Sequence, residues 1–375
     1  TAPAMNEAQQ HTDSGAPLRP WRHWLSQHPV AASAPCRIDM GGTIDIGTFY
    51  VPLQHLQPAT FNLALDLRTR VVLHPHAAGQ VRISSRGFES AEFPGGQAPY
   101  NHHFGLMFAI CDYFGVEGVQ VHIDSASPPR SALGGSSVAA VALVAALAEV
   151  ARQAGETAFS RRQIADLAYT IEAAVAGVAC GRQDQLAAAY GGVNVWHWQT
   201  RGSSQAFRRQ HLSPPGGHRS LEPAFLVAYA GNPHVSKTIN ARWVAQFVAA
   251  KSRRQWSEII ACTRRFCRAL AAGDYRSAAA AVNEEVALRE SLTPDVFDAM
   301  GQRLKAAARP LDCGVRFAGA GGGGCVWAIG RPDAIAALRP KWEKLLAQDK
   351  EARLLPFGID TDGVRVEILP AGASL

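Results

Sequence analysis

The chain has 375 residues, of which 47% are hydrophobic and 18% are charged, and its formal net charge is +6. This length suits two domains with a sizeable core, and the composition excludes wholesale disorder. The basic residues form short scattered clusters without interleaved aromatics, so we expect no nucleic-acid partner and only a mild bias toward anionic small molecules.

The first half of the chain carries alternating strand and helix patterns after a polar start. Residues 1–33 are polar and predict a flexible tail. Alternation of apolar and polar residues predicts strands at 34–40, 60–67, 70–74, 81–84, 119–125 and 193–198. Helical spacing predicts helices at 101–114, 138–153, 160–175 and 185–190. Ser160 and Gln163 are placed for a capping box at the start of the third helix.

The second half begins at the clearest linker, PPGG at residues 214–217. We therefore predict an N-terminal domain over 34–213 and a C-terminal domain over 218–375. Strand patterns follow at 224–229, 315–318, 326–329 and 364–368. Helix patterns follow at 236–250, 254–272, 275–292, 294–308 and 333–348. Strands and helices are mixed in both halves, which predicts an α+β protein with two lobes.

The cysteines and the apolar segments indicate the cellular compartment in which the protein is expected. The seven cysteines are odd in number and show no CxxC spacing, which predicts reduced thiols and neither a disulfide framework nor a zinc site. The apolar run at 138–148 is shorter than the roughly 20 residues that span a bilayer. The N-terminus lacks the basic flank and apolar stretch of a signal peptide. We predict a cytoplasmic protein without a membrane partner.

A loop rich in glycine and serine precedes the most apolar helix and reads PPRSALGGSS over residues 128–137. Glycine lets a backbone approach an anion closely, and the free N–H groups at the start of the helix face that anion. This pattern predicts a phosphate-binding loop, whereas the missing GK[ST] sequence argues against a P-loop. An ordinary serine-capped helix is the alternative.

A run of glycines, GAGGGGC, occupies residues 319–325. It formally matches the GxGxxG pattern of dinucleotide-binding folds, which requires a helix directly after the glycines. Here the next residues, 326–329, are strand-forming, and no acidic residue stands about 20 positions further on at a strand end. A plain hairpin turn is the remaining alternative to a nucleotide-binding role.

Two further segments combine charged residues with glycine turns. Residues 34–45 read APCRIDMGGTID, and residues 180–194 read CGRQDQLAAAYGGVN. An aspartate held near a hydroxyl group can orient it and accept its proton, as phosphoryl transfer needs. Without other information, a surface arginine, turn aspartates and a helix-capping aspartate explain the same residues.

In chain order, these four segments resemble the motifs of the GHMP kinase superfamily, and the resemblance covers roughly residues 34–369. Ala132 and Gly135 replace residues that are usually glycine and serine in the second motif. The segment 180–194 is most similar to D-glycero-D-manno-heptose 7-phosphate kinases and fucokinase-type sugar kinases. The resemblance implies a first lobe like ribosomal S5 domain 2, a ferredoxin-like second lobe, and an active site between them that uses ATP and Mg²⁺.

The resemblance also implies roles for individual residues. Asp184 corresponds to the catalytic carboxylate and Arg37 to the arginine near the transferred phosphate. Ser137 and Glu172 correspond to the ligands of Mg²⁺. The residues implied for ATP and its phosphates are Ser131, Leu133, Gly134, Gly135, Ser136, Ser137, Gly321, Gly322 and Gly323. Those implied for the acceptor sugar are Gly42, Thr43, Asp45, Gln183 and Lys237, although the spacing from Arg37 to Asp45 is about one residue shorter than in the family.

The reaction that this resemblance implies is transfer of the γ-phosphate of ATP to a sugar hydroxyl. The acceptor closest to the resemblance is the C1 hydroxyl of a heptose 7-phosphate, which would give a sugar 1-phosphate. A fucokinase- or galactokinase-like enzyme acting on a free sugar is one alternative. A protein of this fold that binds a sugar or ATP without catalysis is another. The oligomeric state stays open.

Overall fold

A computed structural model describes residues 21–200, 206–213, 215–233 and 236–372, and of residues 21–23 and 236–238 it describes the backbone alone. The strands are β1 (Val30–Met40), β2 (Ala59–Pro75), β3 (Gln80–Ser85), β4 (Ala91–Pro94), β5 (Val119–Ser125), β6 (Val193–Trp198), β7 (Phe207–His211), β8 (Phe225–Tyr229), β9 (Gly314–Phe317), β10 (Cys325–Ile329), β11 (Arg353–Leu354) and β12 (Arg365–Ile368).

The α-helices are α1 (Trp21–Gln27), α2 (Gly47–Tyr50), α3 (Gly105–Tyr113), α4 (Gly135–Gln153), α5 (Arg161–Val175), α6 (Gln183–Tyr190), α7 (Ser236–Val248), α8 (Arg253–Ala271), α9 (Tyr275–Leu292), α10 (Ala299–Ala308) and α11 (Pro332–Leu346). The mixed content confirms the α+β class that the sequence predicts. All seven cysteines lie within the described residues, and no disulfide joins them.

The first sheet has eight strands and is organised around the long strand β2. Strand β1 runs antiparallel along one side of β2. On the other side, the first half of β2 pairs with β6 and its second half with β5, both antiparallel. Strand β7 extends the sheet beyond β6, and β3 and β4 extend it beyond β5. Strand β12, from the far end of the chain, pairs with the outer edge of β1.

Helix α4 is the central helix behind this sheet, where it packs against β1, β2 and the helices α3, α5 and α6. Every residue from 137 to 148 is buried. Within the described residues, α4 is the one helix long and apolar enough to cross a membrane, but 78% of that apolar window is buried inside the protein. Its apolar length is therefore explained by its place in the core.

The second sheet has four antiparallel strands in the order β11-β8-β10-β9. Helices α9 and α10 pack on β9, α8 packs on α9, and α11 packs on β8 and β11. The amphipathic α8 buries Trp256 and Phe266 against its neighbours, and the Phe266 ring meets Phe61 of β2 edge-on. Helix α8 therefore joins the core of the second sheet to that of the first.

Four charged side chains without exposed surface also join the two sheets. The guanidinium of Arg316 in β9 donates to Asp39 Oδ2 in β1 at 3.0 Å and to Glu285 Oε2 in α9 at 3.0 Å. Arg289, one turn after Glu285, donates to Glu285 Oε1 at 2.9 Å and to the carbonyl oxygen of Gly42 at 2.7 Å. We call Asp39, Glu285, Arg289 and Arg316 the junction network. It ties the turn after β1 to the second sheet.

The structure corrects several predicted boundaries. Strand β1 begins at Val30 and a helix precedes it, so part of the predicted tail 1–33 is ordered, while residues 1–20 lie outside the described residues. The two strands predicted at 60–67 and 70–74 are one strand. Helix α4 begins at Gly135, three residues earlier than expected, because the GSS sequence forms its first turn. The helix predicted at 294–308 is a 3₁₀ turn followed by α10.

The predicted division into domains at 213 and 218 stays a proposal. Residues 215–217 lie in a turn between the two sheets, and residue 214 is outside the described residues. Strand β12 belongs to the predicted C-terminal range, yet it pairs with β1 of the first sheet. The strands β4 and β7 were not predicted, since their short sequences AEFP and FRRQH show little apolar alternation.

Candidate active site

A cavity of about 480 Å³ lies where the start of α4, the start of α6 and the turn after β1 converge. Its wall includes the predicted site residues Arg37, Thr43, Asp45, Ser131, Gly134, Gly135, Ser136, Ser137, Glu172, Gln183 and Asp184. These residues are spread over nearly 150 positions of the chain, and the topology of the first sheet brings them together. The size of the cavity suits a small-molecule ligand.

The start of α4 offers backbone donors to this cavity. Gly134 is the N-cap residue in the left-handed region at φ 83°, and no side chain caps the helix. The backbone N–H groups of Gly135, Ser136 and Ser137 have no backbone or side-chain acceptor among the described residues. Free N–H groups at the positive end of a helix of 19 residues form a site for an anion such as phosphate.

The glycine run at 319–325 lies against this loop. The N–H of Cys325 donates to the carbonyl oxygen of Ser131 at 2.8 Å. A Cβ added to Gly324 would stand 2.7 Å from the same oxygen, so a larger residue would push the two segments apart. Ala132 adopts φ 64°, a conformation that favours glycine and costs other residues about 1–2 kcal/mol. The phosphate loop is therefore held in a strained shape by its contacts.

Asp184 lies in the first turn of α6 and faces the start of α4. A Cβ added to Gly134 would stand 3.2 Å from Asp184 Cγ and from Oδ2, so a larger residue at this position would crowd the carboxylate. Arg37 Nε donates to Asp184 Oδ1 at 2.8 Å, and Arg37 Nη2 lies 2.7 Å from the same oxygen. Burial raises the pKa of Asp184 above its ordinary value, and Arg37 opposes that shift. The oxygen Oδ2 is left to face a ligand.

Arg37 is itself held in place by the protein. Its Nη1 donates to the carbonyl oxygen of Ala132 at 2.8 Å and lies 3.6 Å from Asp39 Oδ1. The same Asp39 oxygen accepts from the backbone N–H of Gly319 at 2.7 Å. The guanidinium therefore links the phosphate loop, the carboxylate of Asp184 and the start of the glycine run.

Ser137 and Glu172 form a second polar pair at the start of α4. Ser137 Oγ lies 2.8 Å from Glu172 Oε2 and 3.1 Å from Oε1, and Gln185 Nε2 donates to Oε2 at 2.7 Å. Burial raises the pKa of Glu172 from 4.5 to about 7. A cation would relieve this buried carboxylate, and the hydroxyl and carboxylate oxygens are the hard ligands that Mg²⁺ prefers. No group of three His, Cys, Asp or Glu side chains suited to a metal occurs in the described ranges.

Asp45 closes the opposite side of the cavity. Its Oδ2 accepts from the backbone N–H of Gln183 at 3.0 Å, while Oδ1 is buried without a partner. A Cβ added to Gly181 would stand 1.8 Å from Oδ2, so the loop before α6 needs glycine to pass this carboxylate. Burial raises the pKa of Asp45 from 3.8 to about 6. An unpartnered buried oxygen on a cavity wall is ready to accept from a ligand hydroxyl.

The raised pKa of Asp45 predicts a pH-dependent stability. Protonation of Asp45 stabilises the folded state fully below the usual value of 3.8, and this stabilisation is lost as the pH rises through about 6. Between about pH 4 and pH 8, wild type should therefore lose on the order of 2 kcal/mol relative to Asp45→Asn. Urea unfolding of both proteins at the two pH values measures this difference. Parallel pH dependences would contradict a buried ionised carboxylate.

Some predicted residues lie away from the cavity wall. Leu133 is fully buried beneath the loop. Gly42 packs against Asp39, where a Cβ would stand 2.1 Å from Oδ2. Of the glycine run, Gly319 and Ala320 line the cavity instead of the predicted Gly321, Gly322 and Gly323. The latter pack on the far side, where the N–H of Gly322 donates to the carbonyl oxygen of Val296 at 2.8 Å. The side chain of Lys237 lies outside the described residues.

The sequence reasoning missed three groups of cavity residues. Asn240 of α7 accepts from Thr43 Oγ1 at 3.3 Å and brings the second lobe to the cavity. Asn62 donates to Gln183 from behind the wall. The apolar end of the cavity is formed by Phe88, Phe104, Met107, Ile123, Pro128 and Pro129. Pro128 and Pro129 belong to the motif at 128–137, but the other residues lie in no motif, and the apolar sequence FGLMF at 104–108 is recognisable only as the start of helix α3.

The comparisons with known proteins agree with this geometry. Residues 101–192 match the family model described as the GHMP kinases N terminal domain. That range contains the phosphate loop, α4, Glu172 and Asp184. A search of curated protein sequences found no match. Residues 101–192 are therefore similar to a GHMP kinase N-terminal domain, and this match does not extend to the rest of the chain.

Solved structures extend the likeness to most of the chain. A D-glycero-D-manno-heptose 1-phosphate kinase from Bacteriodes thetaiotaomicron has a TM-score of 0.67 and 17% identity, with 90% of this chain and 98% of that chain covered. The Lactococcus lactis galactokinase complexed with galactose has a TM-score of 0.67 and 16% identity, covering 90% and 95%.

The Streptococcus pneumoniae phosphomevalonate kinase in complex with phosphomevalonate and AMPPNP has a TM-score of 0.68 and 16% identity, covering 90% and 99%. Identities at this level establish the fold alone, which this chain shares with these kinases over 90% of its length.

Proposed function

We propose that this chain is an ATP-dependent kinase that transfers the γ-phosphate of ATP to a hydroxyl of a small-molecule sugar. The observation that carries this proposal is the contact between Asp184 and the start of α4, where a Cβ on Gly134 would stand 3.2 Å from the carboxylate carbon. A phosphate held by the free N–H groups of α4 lies next to a carboxylate that can receive a proton. The phosphate-binding groups and the proton acceptor that phosphoryl transfer needs are thus adjacent.

The ATP molecule would lie along the cavity with its phosphates at residues 131–137. The apolar end, with Phe88, Phe104 and Met107, suits the base, since aromatic and apolar side chains favour a flat ring. The phosphomevalonate kinase of the same fold was solved with the ATP analogue AMPPNP, which supports a nucleotide in this cavity. The glycine run supports the phosphate loop from behind.

Ser137 and Glu172 are the residues that would hold Mg²⁺, with phosphate oxygens and waters as the other ligands. The cation would neutralise charge on the phosphates during transfer. Gln185 Nε2 donates to Glu172 Oε2 and fixes the direction of that carboxylate. A residue that orients a metal-binding side chain in this way holds the metal site in a more exact geometry.

The transfer step itself uses Asp184 and Arg37. The acceptor oxygen forms a bond to the γ-phosphorus, the bond from that phosphorus to the bridging oxygen breaks, and ADP leaves. The proton of the acceptor hydroxyl moves to Asp184 Oδ2, whose raised pKa makes it a better base than an exposed aspartate. Arg37, which is buried at the phosphate loop, stabilises the charge on the phosphoryl group.

The acceptor would lie between Asp184 and Asp45, against Thr43 and Gln183. Two neighbours of this fold are kinases of sugars or sugar phosphates by their titles, which supports a sugar here. The first candidate is the C1 hydroxyl of a heptose 7-phosphate. Such a substrate needs a cationic site for its phosphate besides the site for ATP.

One observation favours the second candidate, a free sugar. Arg68, Arg70 and Arg242 do not line the cavity, and each forms an ion pair elsewhere, with Asp360, Glu367 and Asp295 respectively. Arg86 lines the cavity but lies beside Ser125 toward its apolar end. Arg37 reaches the acceptor end but pairs with Asp184, and Arg130 lines the cavity at the phosphate loop. The other described polar side chains at the acceptor end, which exclude Lys237, are carboxylates, amides and hydroxyls.

A coupled assay of ADP release with MgATP tests the function. Heptose 7-phosphate, galactose, fucose, mannose and N-acetylhexosamines serve as acceptors, and EDTA serves as the control for the metal. We expect ADP release that depends on one class of acceptor and stops with EDTA. Release of ADP with none of these sugars, together with retained binding of ATP, would instead favour a non-catalytic sugar- or ATP-binding protein. The cytoplasmic location stays a prediction.

A further inference from the structure

A chain of buried hydrogen bonds leads from the first sheet to the candidate sugar site. The indole Nε1 of Trp196 in β6 donates to Asn62 Oδ1 in β2 at 2.8 Å. Asn62 Nδ2 in turn donates to Gln183 Oε1 at 2.9 Å. Trp196 and Asn62 have no exposed surface, and Gln183 is 7% exposed where it lines the cavity.

The indole determines the direction of both bonds. An indole N–H can only donate, so the atom of Asn62 that faces it must be the carbonyl oxygen. The amide nitrogen of Asn62 then faces Gln183 and can only donate, so the atom of Gln183 that it meets must be Oε1. The indole N–H therefore fixes the orientation of both side-chain amides.

Gln183 consequently presents its Nε2 group on the other side. A Cβ added to Gly42 would stand 2.9 Å from this nitrogen, so Nε2 lies beside the glycine turn after β1 and a larger residue there would displace it. Among the described residues, no protein atom accepts from Gln183 Nε2. Its neighbour Asp45 keeps the buried oxygen Oδ1 without a partner. Gln183 and Asp45 both line the cavity, so its wall holds one amide donor and one carboxylate acceptor without protein partners among the described residues.

We propose that Trp196 and Asn62 are positioning residues that hold Gln183 as a hydrogen-bond donor to an oxygen atom of the acceptor, while Asp45 accepts from a hydroxyl of the same molecule. This inference rests on the proposed function and specifies the substrate class as a polyol with two neighbouring oxygen atoms. A site with buried polar groups discriminates strongly against an analogue that leaves them unpaired. Sugars that lack one of the two hydroxyls are therefore poor substrates.

The first test compares two matched tryptophans. Trp196 and Trp198 lie on the same strand, and both are fully buried and donate to β2, but Trp198 Nε1 bonds Thr60 at 3.0 Å and has no link to Gln183. Trp196→Phe should raise the KM for the best acceptor sugar about 10-fold, because the amide of Gln183 loses its fixed orientation. The KM for ATP should stay within about 2-fold. Trp198→Phe should leave both constants unchanged.

A second variant reverses the direction of the hydrogen bond between residue 62 and Gln183. In Asn62→Asp, the ionised carboxylate accepts hydrogen bonds from Trp196 and from Gln183. The side-chain amide of Gln183 must then turn its NH₂ group toward residue 62, which brings its Oε1 into the cavity. The KM for the acceptor should rise about 100-fold, more than in Trp196→Phe. Equal effects of Trp196→Phe and Trp198→Phe on the acceptor KM, or an unchanged KM in Asn62→Asp, would overturn the proposal.

A measurement without turnover separates this proposal from the proposed function. The NMR resonance of the Gln183 side-chain NH₂ group is assigned as the one that disappears from the spectrum of Gln183→Glu. Its NH₂ protons should exchange rapidly with water in wild type and become protected in Asn62→Asp. Mannose, galactose, fucose and heptose 7-phosphate are then titrated. If no sugar gives ADP, a sugar-induced shift of this resonance still supports the proposal, whereas protected protons in the free wild-type protein, or no shift with any sugar, overturn it.

Discussion

Replacing Asp184 by asparagine should lower kcat for phosphoryl transfer by about 10²–10⁴-fold, because the hydroxyl proton loses its acceptor. Asparagine has almost the same shape, and the phosphate loop itself is unchanged. The affinity for MgAMPPNP should therefore remain within about 3-fold of wild type. Steady-state ADP release and calorimetric titration of the analogue measure the two quantities.

Asp166→Asn is the matched control for this experiment. Asp166 in α5 pairs with Arg162 and with Arg182, and its side chain is 34% exposed and does not line the cavity. The same chemical change there should leave kcat unchanged, since exposed ion pairs contribute little. Wild-type turnover by Asp184→Asn would show that this carboxylate is not the base and would remove the central argument for a kinase.

Replacing Glu285 by glutamine should lower the free energy of unfolding by about 3–5 kcal/mol at neutral pH. Glu285 accepts from both Arg289 and Arg316 in the junction network, and its side chain has no exposed surface. Without its charge, Arg316 keeps an ion pair with Asp39, whereas Arg289 loses its ion pair and keeps only the carbonyl oxygen of Gly42 among the described residues. Removal of one partner from a buried pair is costly because it leaves an uncompensated charge in the core.

The pH dependence and a control sharpen this prediction. Burial favours protonation of Glu285, but Arg316 and Arg289 lower its pKa below the usual 4.5. The stabilisation is therefore complete above about pH 4.5 and is lost as the pH falls through the lowered pKa. Glu258→Gln removes the exposed pair with Arg254 and should cost under about 1 kcal/mol. Urea unfolding followed by circular dichroism measures both variants, and equal losses would contradict a special role for the buried charges.

Local patterns predicted most of the elements, because helix and strand periodicity depend on neighbours in the chain. The capping box of Ser160 and Gln163 is confirmed, with both of its hydrogen bonds present. Boundaries were less accurate where tertiary contacts extend an element. In the first turn of α4, which the apolar pattern misses, Ser137 is buried against Glu172, which lies 35 residues away.

The residues of the candidate site that belong to a short contiguous motif could be predicted from the sequence. The motifs at 128–137 and 180–194 supplied residues that do line one cavity. Contacts between distant segments have no such signal. Arg316 and Asp39 are separated by 277 positions, and Trp196 and Asn62 by 134. These pairs depend on which strands become neighbours, and a single sequence does not contain that information in a local pattern.

The return of strand β12 to the outer edge of β1 makes the second sheet an insertion within the first. A chain emerging from the ribosome forms its domains roughly in order of synthesis. Here β1 stays an open edge until residues 365–368 have been made, after the whole of the second sheet. Nascent chains should therefore become resistant to protease in a single late step, rather than one lobe at a time.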